Sequence, residues 1–261
     1  MRINLLSDLH LEFAKFDLVP TDADVIVLAG DIGSGVLGME WAATLEKPVV
    51  YVAGNHEYYG KRWIKHINDL REAAVRTSNV HFLENESWVY QGVRFLGATL
   101  WTDFMLFGES RMQDTIVAAS QSMSDYYQIK RETSQHKITP YHTLNAHRVS
   151  VAWLESMLEE PFDGTTVVVT HHLPTGQMLH PMFQPNLPQL RYDPLSAAYA
   201  SNLEDLIKPP VSLWISGHTH YSHGMTFNGI TLLSNCRGYP AEEGDRRSRY
   251  DRFNPSLIRE V

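Results

Sequence analysis

The sequence predicts an α/β fold in which the central strands are buried on both faces. Five short apolar runs of strand length lack a clean polar–apolar alternation, which is typical of strands covered on both sides. Amphipathic helical stretches lie between them, and strands that alternate with helices indicate α/β layering. The five runs are Ile3–Leu6, Val25–Ala29, Val49–Ala53, Thr166–Val169 and Val211–Ile215.

Helical periodicity is clearest in Trp63–Val75, where Trp63, Ile64, Ile67, Leu70 and Ala74 are predicted to fall on one stripe. The same pattern predicts three further helices, at Val36–Glu46, Ala146–Glu160 and Leu195–Ile207.

Two hairpins predict that the sheets are mixed rather than all parallel. Asn228-Gly229 is a strong two-residue turn signal between His223–Phe227 and Ile230–Ser234, and Gln91-Gly92 separates Trp88–Tyr90 from Val93–Gly97. Leu257–Val261 is predicted as a last edge strand.

No linker interrupts the chain, so residues 1–261 are predicted to form a single domain. The least regular segment, residues 101–145, is interpreted as a cap insertion of helices and loops over one end of the core. The proline-rich loop Leu173–Pro194 is predicted to be a functional lid, as long loops in compact domains often are.

Composition excludes some classes of function. With 22 basic and 30 acidic residues the formal net charge is −8, which gives no electrostatic footprint for nucleic acid. No apolar run approaches the roughly 20 residues of a membrane span. The start of the chain does not resemble a signal peptide, and one cysteine, Cys236, allows no internal disulfide. These features predict a cytoplasmic protein, and they leave its oligomeric state open.

A metal-binding pattern follows the predicted strands. Each of the five apolar runs is followed by side chains that commonly ligate metals, whereas nothing comparable precedes the runs. Ligands of α/β sheets bind beyond the carboxyl ends of strands. The residues are Asp8 and His10, Asp31, Asn55 and His56, His171, and His218 and His220.

The chemistry of these residues predicts two divalent ions. Asp8 and His10 are two apart, so in an extended segment they would point the same way, and His218 and His220 share this spacing. Asp31 offers two oxygens and could bridge ions about 3.5–4 Å apart. Imidazole, carboxylate and amide ligands suit Mn²⁺, Zn²⁺ or iron rather than Ca²⁺.

The ordered motifs D-x-H, G-D, G-N-H-E, T-H-H and G-H-x-H resemble those of the calcineurin-like metallophosphoesterases, and they extend from Asp8 to His220. The resemblance implies a four-layered core of two mixed β-sheets flanked by helices. It implies one ion on Asp8, His10, Asp31 and His220, and a second on Asp31, Asn55, His171 and His218. His56 would lie near the substrate and assist the leaving group.

One departure from the family pattern concerns His56. Members that resemble the Ser/Thr protein phosphatases have G-D-x-x-D-R-G, whose second Asp orients that histidine, whereas this chain has Gly30-Asp31-Ile32-Gly33-Ser34-Gly35. A protein substrate is therefore disfavoured, and the partner of His56 is not evident. Glu57 is interpreted as a hydrogen-bonding residue rather than a base, and Arg237, after the last hairpin, as a candidate phosphate contact.

These observations predict a binuclear metal-dependent phosphoesterase that uses a metal-bridging hydroxide on a small-molecule phosphate ester. A phosphodiesterase on small or nucleotide substrates is the first choice. A phosphomonoesterase on a small metabolite is an alternative, and a nuclease is disfavoured by the charge of −8. A non-catalytic metal-binding scaffold of the same fold is a further alternative, but it predicts lost ligands, and all seven are present.

Overall fold

Two β-sheets with mixed strand directions form the centre of the molecule. A computed structural model of the chain describes residues 1–133, 135–184, 193–240 and 253–261. The first sheet has the order β11-β1-β2-β3-β4, in which β1 to β4 are parallel and β11 is antiparallel to β1. Its strands are β1 (Arg2–Leu6), β2 (Val25–Ala29), β3 (Val49–Val52), β4 (Val80–Phe82) and β11 (Ile258–Glu260).

The second sheet has the order β5-β6-β7-β8-β10-β9. The hairpins β5–β6 and β9–β10 lie at its two edges, and the inner pairs are parallel. Its strands are β5 (Glu86–Tyr90), β6 (Val93–Ala98), β7 (Thr165–Thr170), β8 (Val211–Ser216), β9 (His223–Phe227) and β10 (Ile230–Ser234). The predicted hairpins and mixed sheets are therefore confirmed.

Alternate residues of the inner strands enter different hydrophobic cores. Val25 and Val27 of β2 pack between the two sheets, whereas Ile26 and Leu28 pack on the outer face of the first sheet. In β7, Val167 faces the core between the sheets and Val168 the outer core of the second sheet. Because side chains alternate along a strand, a strand buried on both faces must be apolar throughout.

Helices cover both outer faces, which completes the predicted four layers. Leu70 of α2 packs in the outer core of the first sheet and Leu154 of α5 in that of the second. The helices are α1 (Leu37–Ala42), α2 (Trp63–Val75), α3 (Met112–Ser122), α4 (Asp125–Gln128) and α5 (Pro140–Glu159). No helix in these described ranges has the length and apolarity needed to cross a membrane.

The predicted helix Leu195–Ile207 is wrong. Two short 3₁₀ helices, Pro194–Ala198 and Glu204–Leu206, lie there instead. The chain between them extends to pair with Leu173, which donates to Tyr199 O at 3.0 Å and accepts from Ser201 N at 3.1 Å. This tertiary pairing with the segment that follows β7 overrides the local helical pattern.

Two other helix boundaries differ from the sequence prediction. α5 begins at Pro140 rather than at residue 146, because proline suits the first turn of a helix and His142 Nδ1 accepts from Thr139 N at 3.1 Å. α1 ends at Ala42, four residues before the predicted end. The strand β4 was not predicted, because a run of three residues is too short to show the hydrophobic periodicity of a strand.

The segment 101–145 contributes to the core rather than only covering it. Ile116 and Ala119 of α3, together with Tyr126 of α4, are buried in the same core as α2. The single domain with an insertion at these residues stays a prediction. The predicted lid Leu173–Pro194 is described only in part, because residues 185–192 lie outside the described ranges.

Contact between the sheets depends on Gly97 of β6. A Cβ at this position would overlap Leu83 Cβ and lie 3.0 Å from Val52 Cγ2 of β3. We expect Gly97→Ala to lower the free energy of unfolding by about 1–3 kcal/mol, the usual cost of overpacking. Urea denaturation measures this. Gly224→Ala in the edge strand β9 is the control, since its Cβ would lie 3.1 Å from the movable end of Leu233 and at an ordinary contact distance, 3.8 Å, from Leu232 O. Equal losses in both variants would contradict the packing argument.

Candidate metal centre

The two sheets bring their strand ends to one place. β1, β2 and β3 are parallel neighbours in one sheet, and β7 and β8 are parallel neighbours in the other. The residues that follow these strands form three overlapping groups whose nitrogen and oxygen atoms lie within 4.8 Å of one another. The groups are Asp8, His10 and His220; His10, Asp31 and His56; and Asp31, His171 and His218.

Left-handed backbone conformations, rather than extended ones, aim several of these side chains. The φ angles are 53° at Asp8, 48° at His10, 56° at Asp31, 71° at His218 and 53° at His220. From the sequence, Asp8 and His10, and likewise His218 and His220, were expected to point the same way because each pair would lie in an extended segment. That expectation is wrong, since the backbone at these residues is not extended. Such left-handed conformations cost about 1–3 kcal/mol each for residues other than glycine and cluster at functional sites. Hydrogen bonds hold them here, since Asp8 N donates to Gly30 O and His10 N to Asp31 O, each at 3.0 Å.

Asp31 is the residue shared by the group around His10 and the group around His171. Its Oδ1 accepts from His56 N at 2.8 Å, which fixes the carboxylate. Its Oδ2 lies 3.4 Å from His171 Nε2 and 4.0 Å from His10 Nε2. Burial alone would raise the pKa of Asp31, but the facing imidazoles of His171 and His56 hold it well below its usual range. Asp31 is thus a buried anion with one oxygen directed at both groups.

Nitrogen and oxygen atoms of several side chains converge around His171. His171 Nδ1 lies 2.9 Å from Ala29 O, a carbonyl that can only accept, so this nitrogen donates. The other nitrogen, Nε2, lies 3.1 Å from both Asn55 Oδ1 and His218 Nδ1. Burial alone would lower the pKa of His171, yet Asp31 and Asp8 raise it to about 9. The carboxylates therefore favour a positive charge at this place, which a metal ion also supplies.

In the group formed by Asp8, His10 and His220, imidazole nitrogens and carboxylate oxygens also converge. His10 Nε2 and His220 Nε2 lie 2.9 Å apart, and His220 Nε2 lies 3.6 Å from Asp8 Oδ1. Asp8 is held by its neighbours, since its carboxylate accepts from His218 N at 3.0 Å and from the hydroxyl of Ser7. Converging imidazole, carboxylate and amide groups fit a pair of divalent transition-metal ions. The structure thus brings together all seven predicted ligands, whose binding of metal stays a prediction.

Two glycines make this convergence possible. A Cβ at Gly54 would overlap the carboxylate of Asp31 and lie 2.7 Å from His171 Cε1. A Cβ at Gly217 would overlap the hydroxyl of Ser7 and lie 2.8 Å from Asp8 Oδ2. Only a residue without a side chain leaves room for the ligand side chains at both places.

Glu57 supports the loops beneath the centre. Its buried carboxylate accepts from Ile32 N at 2.9 Å, from Gly54 N at 2.8 Å and from Tyr51 Oη at 2.8 Å. These contacts join the loops that follow β2 and β3. They agree with the interpretation of Glu57 as a hydrogen-bonding residue, since its oxygens face the main chain.

His56 has a partner that sequence reasoning missed. Its Nδ1 lies 2.9 Å from Glu12 Oε1, and its Nε2 lies 3.0 Å from Tyr239 Oη and 4.0 Å from Asp31 Oδ2. Glu12 takes the place of the second Asp that the G-D motif lacks. Glu12 comes two residues after His10, in Asp8-Leu9-His10-Leu11-Glu12. This regular spacing of polar residues is the feature of the sequence that could have indicated Glu12.

The pair formed by Glu12 and His56 is charged. Burial raises the pKa of Glu12, but hydrogen bonds with His10 and His56 lower it to about 2. Burial lowers the pKa of His56, but Asp31 and Glu12 raise it to about 9. His56 therefore carries a proton on both ring nitrogens at neutral pH. With Nδ1 bound to Glu12, the proton on Nε2 is the one available for transfer.

His172 and Arg237 donate hydrogen bonds to main-chain oxygens outside the two groups. His172 Nδ1 donates to Thr99 O at 3.1 Å, and burial beside His171 lowers its pKa to about 3, so its imidazole is neutral. Arg237 Nη1 donates to Leu9 O at 3.2 Å and to Ala14 O at 3.3 Å. The guanidinium thus braces the loop after β1, and its contact with phosphate stays a prediction.

Similarity to known proteins agrees with this centre. Residues 1–222 match the model of the family described as calcineurin-like phosphoesterase. The chain is 27% identical to uncharacterized protein L509 of Acanthamoeba polyphaga mimivirus, over 98% of this chain and 95% of that protein. The crystal structure of phosphopantetheinyl hydrolase PptH from Mycobacterium tuberculosis has a similar fold, with a TM-score of 0.68, 16% identity and coverage of 99% and 95% of the two chains. Membership of the family bears on the metal centre. The family depends on a pair of metal ions, and the Asp and His clusters described above could hold them. With its family match over residues 1–222 and its two converging ligand groups, this chain belongs to the calcineurin-like phosphoesterases.

Proposed function

We propose that this protein is a phosphodiesterase that hydrolyses small organic or nucleotide phosphate esters with two divalent metal ions. Asp8, His10, Asp31 and His220 would hold one ion, and Asp31, Asn55, His171 and His218 the other. The observation that carries the proposal is the position of Asp31 Oδ2, which faces imidazoles of both groups at 3.4 and 4.0 Å. When bound, the ions would activate a water molecule and neutralise charge on the phosphoryl oxygens.

The side chains of the protein hold the proton needed by the leaving group. Asp31 and Glu12 raise the pKa of His56 and keep it protonated, and Glu12 fixes the ring through Nδ1. The other nitrogen, Nε2, lies 3.0 Å from the hydroxyl oxygen of Tyr239. An ester oxygen in that direction would accept the Nε2 proton as its bond to phosphorus breaks. General acid catalysis of this kind contributes roughly 10²–10⁴-fold.

The charges of the site favour a diester over a monoester. Among the groups that would face the ions or the leaving group, Asp8 and Asp31 would offset half of the charge of two divalent ions, and Glu12 and His56 neutralise each other. The remaining positive charge matches an activated water and a phosphodiester monoanion. A monoester dianion would leave an excess of negative charge in a buried place, which is unfavourable.

An exposed aromatic ring borders the site. Phe13 is 60% exposed, and its ring centroid lies 5.5 Å from that of Tyr239 and 6.3 Å from that of His56. Phe13 therefore offers a stacking surface to an organic group on the phosphate, such as a base. This surface supports an organic ester rather than a small inorganic substrate.

Reconstitution tests the pair of ions. We expect the protein, stripped with chelator and then loaded with Mn²⁺, Zn²⁺ or Fe²⁺, to bind two ions per chain by elemental analysis. Asp31→Asn should lose most of this metal and almost all activity, because the amide carries no charge and its single oxygen cannot both accept from His56 N and face the two groups. Asp163→Asn, at an exposed position, is the control. Full metal content in Asp31→Asn would show that Asp31 is not the bridge.

A substrate panel tests the diester preference. We expect the loaded enzyme to have a higher kcat/KM for bis(p-nitrophenyl) phosphate and nucleotide diesters than for p-nitrophenyl phosphate and nucleoside monophosphates. A phosphopantetheinylated peptide belongs in the panel, since the protein of similar fold is named for hydrolysis of that group. A consistent preference for monoesters would make the protein a phosphomonoesterase and contradict the charge argument.

Two variants test the role of His56. His56→Ala should keep both ions and lose roughly 10²–10⁴-fold in kcat for alkoxide leaving groups, with a smaller loss for p-nitrophenolate, which needs little protonation. Because the acid form of His56 is required, kcat should fall as pH rises through the His56 pKa. Glu12→Gln removes a charge that raises this pKa, so the falling limb should move to lower pH.

The outcomes of these variants separate three roles. Equal losses for both kinds of leaving group in His56→Ala would mean that His56 stabilises the phosphoryl oxygens instead. Loss of metal would make it a ligand or a fold element. An unchanged pH profile in Glu12→Gln would show that Glu12 does not tune His56.

A further inference from the structure

The segment 101–145 reaches the candidate metal centre through one buried acid. Asp125, the first residue of α4, is 2% exposed. Its Oδ1 accepts from Asn55 Nδ2 at 2.8 Å and from Tyr59 Oη at 2.8 Å. Tyr59 Oη in turn accepts from Asn55 Nδ2 at 2.9 Å. Asn55, Tyr59 and Asp125 therefore form a closed triangle of hydrogen bonds.

This triangle determines which atom of Asn55 faces the metal centre. An amide has an oxygen that can bind a cation and a nitrogen that can only donate. Asn55 Nδ2 donates to both Asp125 Oδ1 and Tyr59 Oη, so Oδ1 turns to the other side, 3.1 Å from His171 Nε2. The reverse orientation would set the amide oxygen against the carboxylate of Asp125 and present N–H groups to the ion.

Main-chain hydrogen bonds hold Asp125 in this place. Gly60 N donates to Gln128 O at 3.3 Å, and Lys130 N donates to Lys61 O at 2.8 Å. These bonds tie the end of α4 to the residues just after Tyr59. The acid and the amide are thus joined by backbone as well as by side chains, and their distance does not depend on a flexible contact.

We propose that Asp125 is a positioning residue that orients the amide of Asn55 so that its oxygen faces the metal ion held with His171 and His218. The inference rests on the proposed function, which makes Asn55 a ligand. Residues that orient metal ligands typically change affinity or activity 10–100-fold when they are replaced.

Metal affinity, measured by competition with a chromophoric chelator, tests the inference directly. Asp125→Ala removes the acceptor and should weaken one of the two ions about 10–100-fold while the other changes little. Tyr126→Phe is the matched control. It removes a buried hydrogen bond of the same segment, to Thr143 Oγ1 at 3.1 Å, without touching Asn55, and both affinities should stay near wild type.

An exchange of the two side chains separates positioning from mere support of the fold. Asn55→Asp alone sets two carboxylates against each other and should weaken the same ion. In the double variant N55D/D125N the amide at position 125 can donate to the carboxylate at position 55. This exchange should bind the ion at least roughly tenfold more tightly than N55D, the scale expected for restored support of a ligand. A residue with only a structural role gives no such rescue.

The metal affinities of Asp125→Ala and of the double variant N55D/D125N together decide whether Asp125 positions Asn55. Weakening in Asp125→Ala together with rescue in the exchange supports the inference. Wild-type affinities in Asp125→Ala, or an exchange no better than N55D, overturns it. If the wild-type protein itself fails to bind two ions or to hydrolyse phosphate esters, the proposed function fails instead, and the two failures are thereby distinguished.

Discussion

The buried carboxylate of Asp31 is the constraint on which the rest of the site depends. A carboxylate with 1% exposure is very unfavourable unless cations and donors surround it. The main-chain N–H of His56 binds one oxygen, and the imidazoles of His171 and His10 face the other. The ends of β1, β2, β3 and β7 must therefore meet at one point, and the two sheets must pack with their parallel strand ends at the same edge.

The scaffold uses buried acids in two distinct ways. Glu57 is as buried as Asp31, yet its oxygens accept from Ile32 N, Gly54 N and Tyr51 Oη, so its hydrogen-bonding capacity is used inside the protein. Asp31 accepts one main-chain N–H, from His56, and keeps its other oxygen directed at the imidazoles of His171 and His10. The first arrangement fixes loops, and the second leaves a place for a cation. The same residue type thus supports the fold or the chemistry according to how many N–H groups reach it.

The sequence allowed prediction of the parts that depend on period and order. Strand runs such as Val25–Ala29 and the turn at Asn228-Gly229 are local patterns, and they were confirmed. The left-handed angles at Asp8 and His218 were missed because they come from tertiary hydrogen bonds. The supposed helix at Leu195–Ile207 failed for the same reason, since pairing with Leu173 replaces local bonds. Asp125 lies 70 residues from Asn55, and no pattern in a single sequence joins them.

The two acids that the sequence analysis missed, Glu12 and Asp125, both orient a side chain of the candidate metal centre. Parallel strands deliver a ligand to the edge of a sheet, but they do not decide which atom of an amide or which nitrogen of an imidazole faces the centre. Glu12, in the loop after β1, decides this for His56, and Asp125, in the segment 101–145, does so for Asn55. Both acids come from outside the strands. A phosphoesterase of this fold can therefore change its ligand orientation and its leaving-group acid through loops and insertions, while the sheets that carry the ligands stay the same.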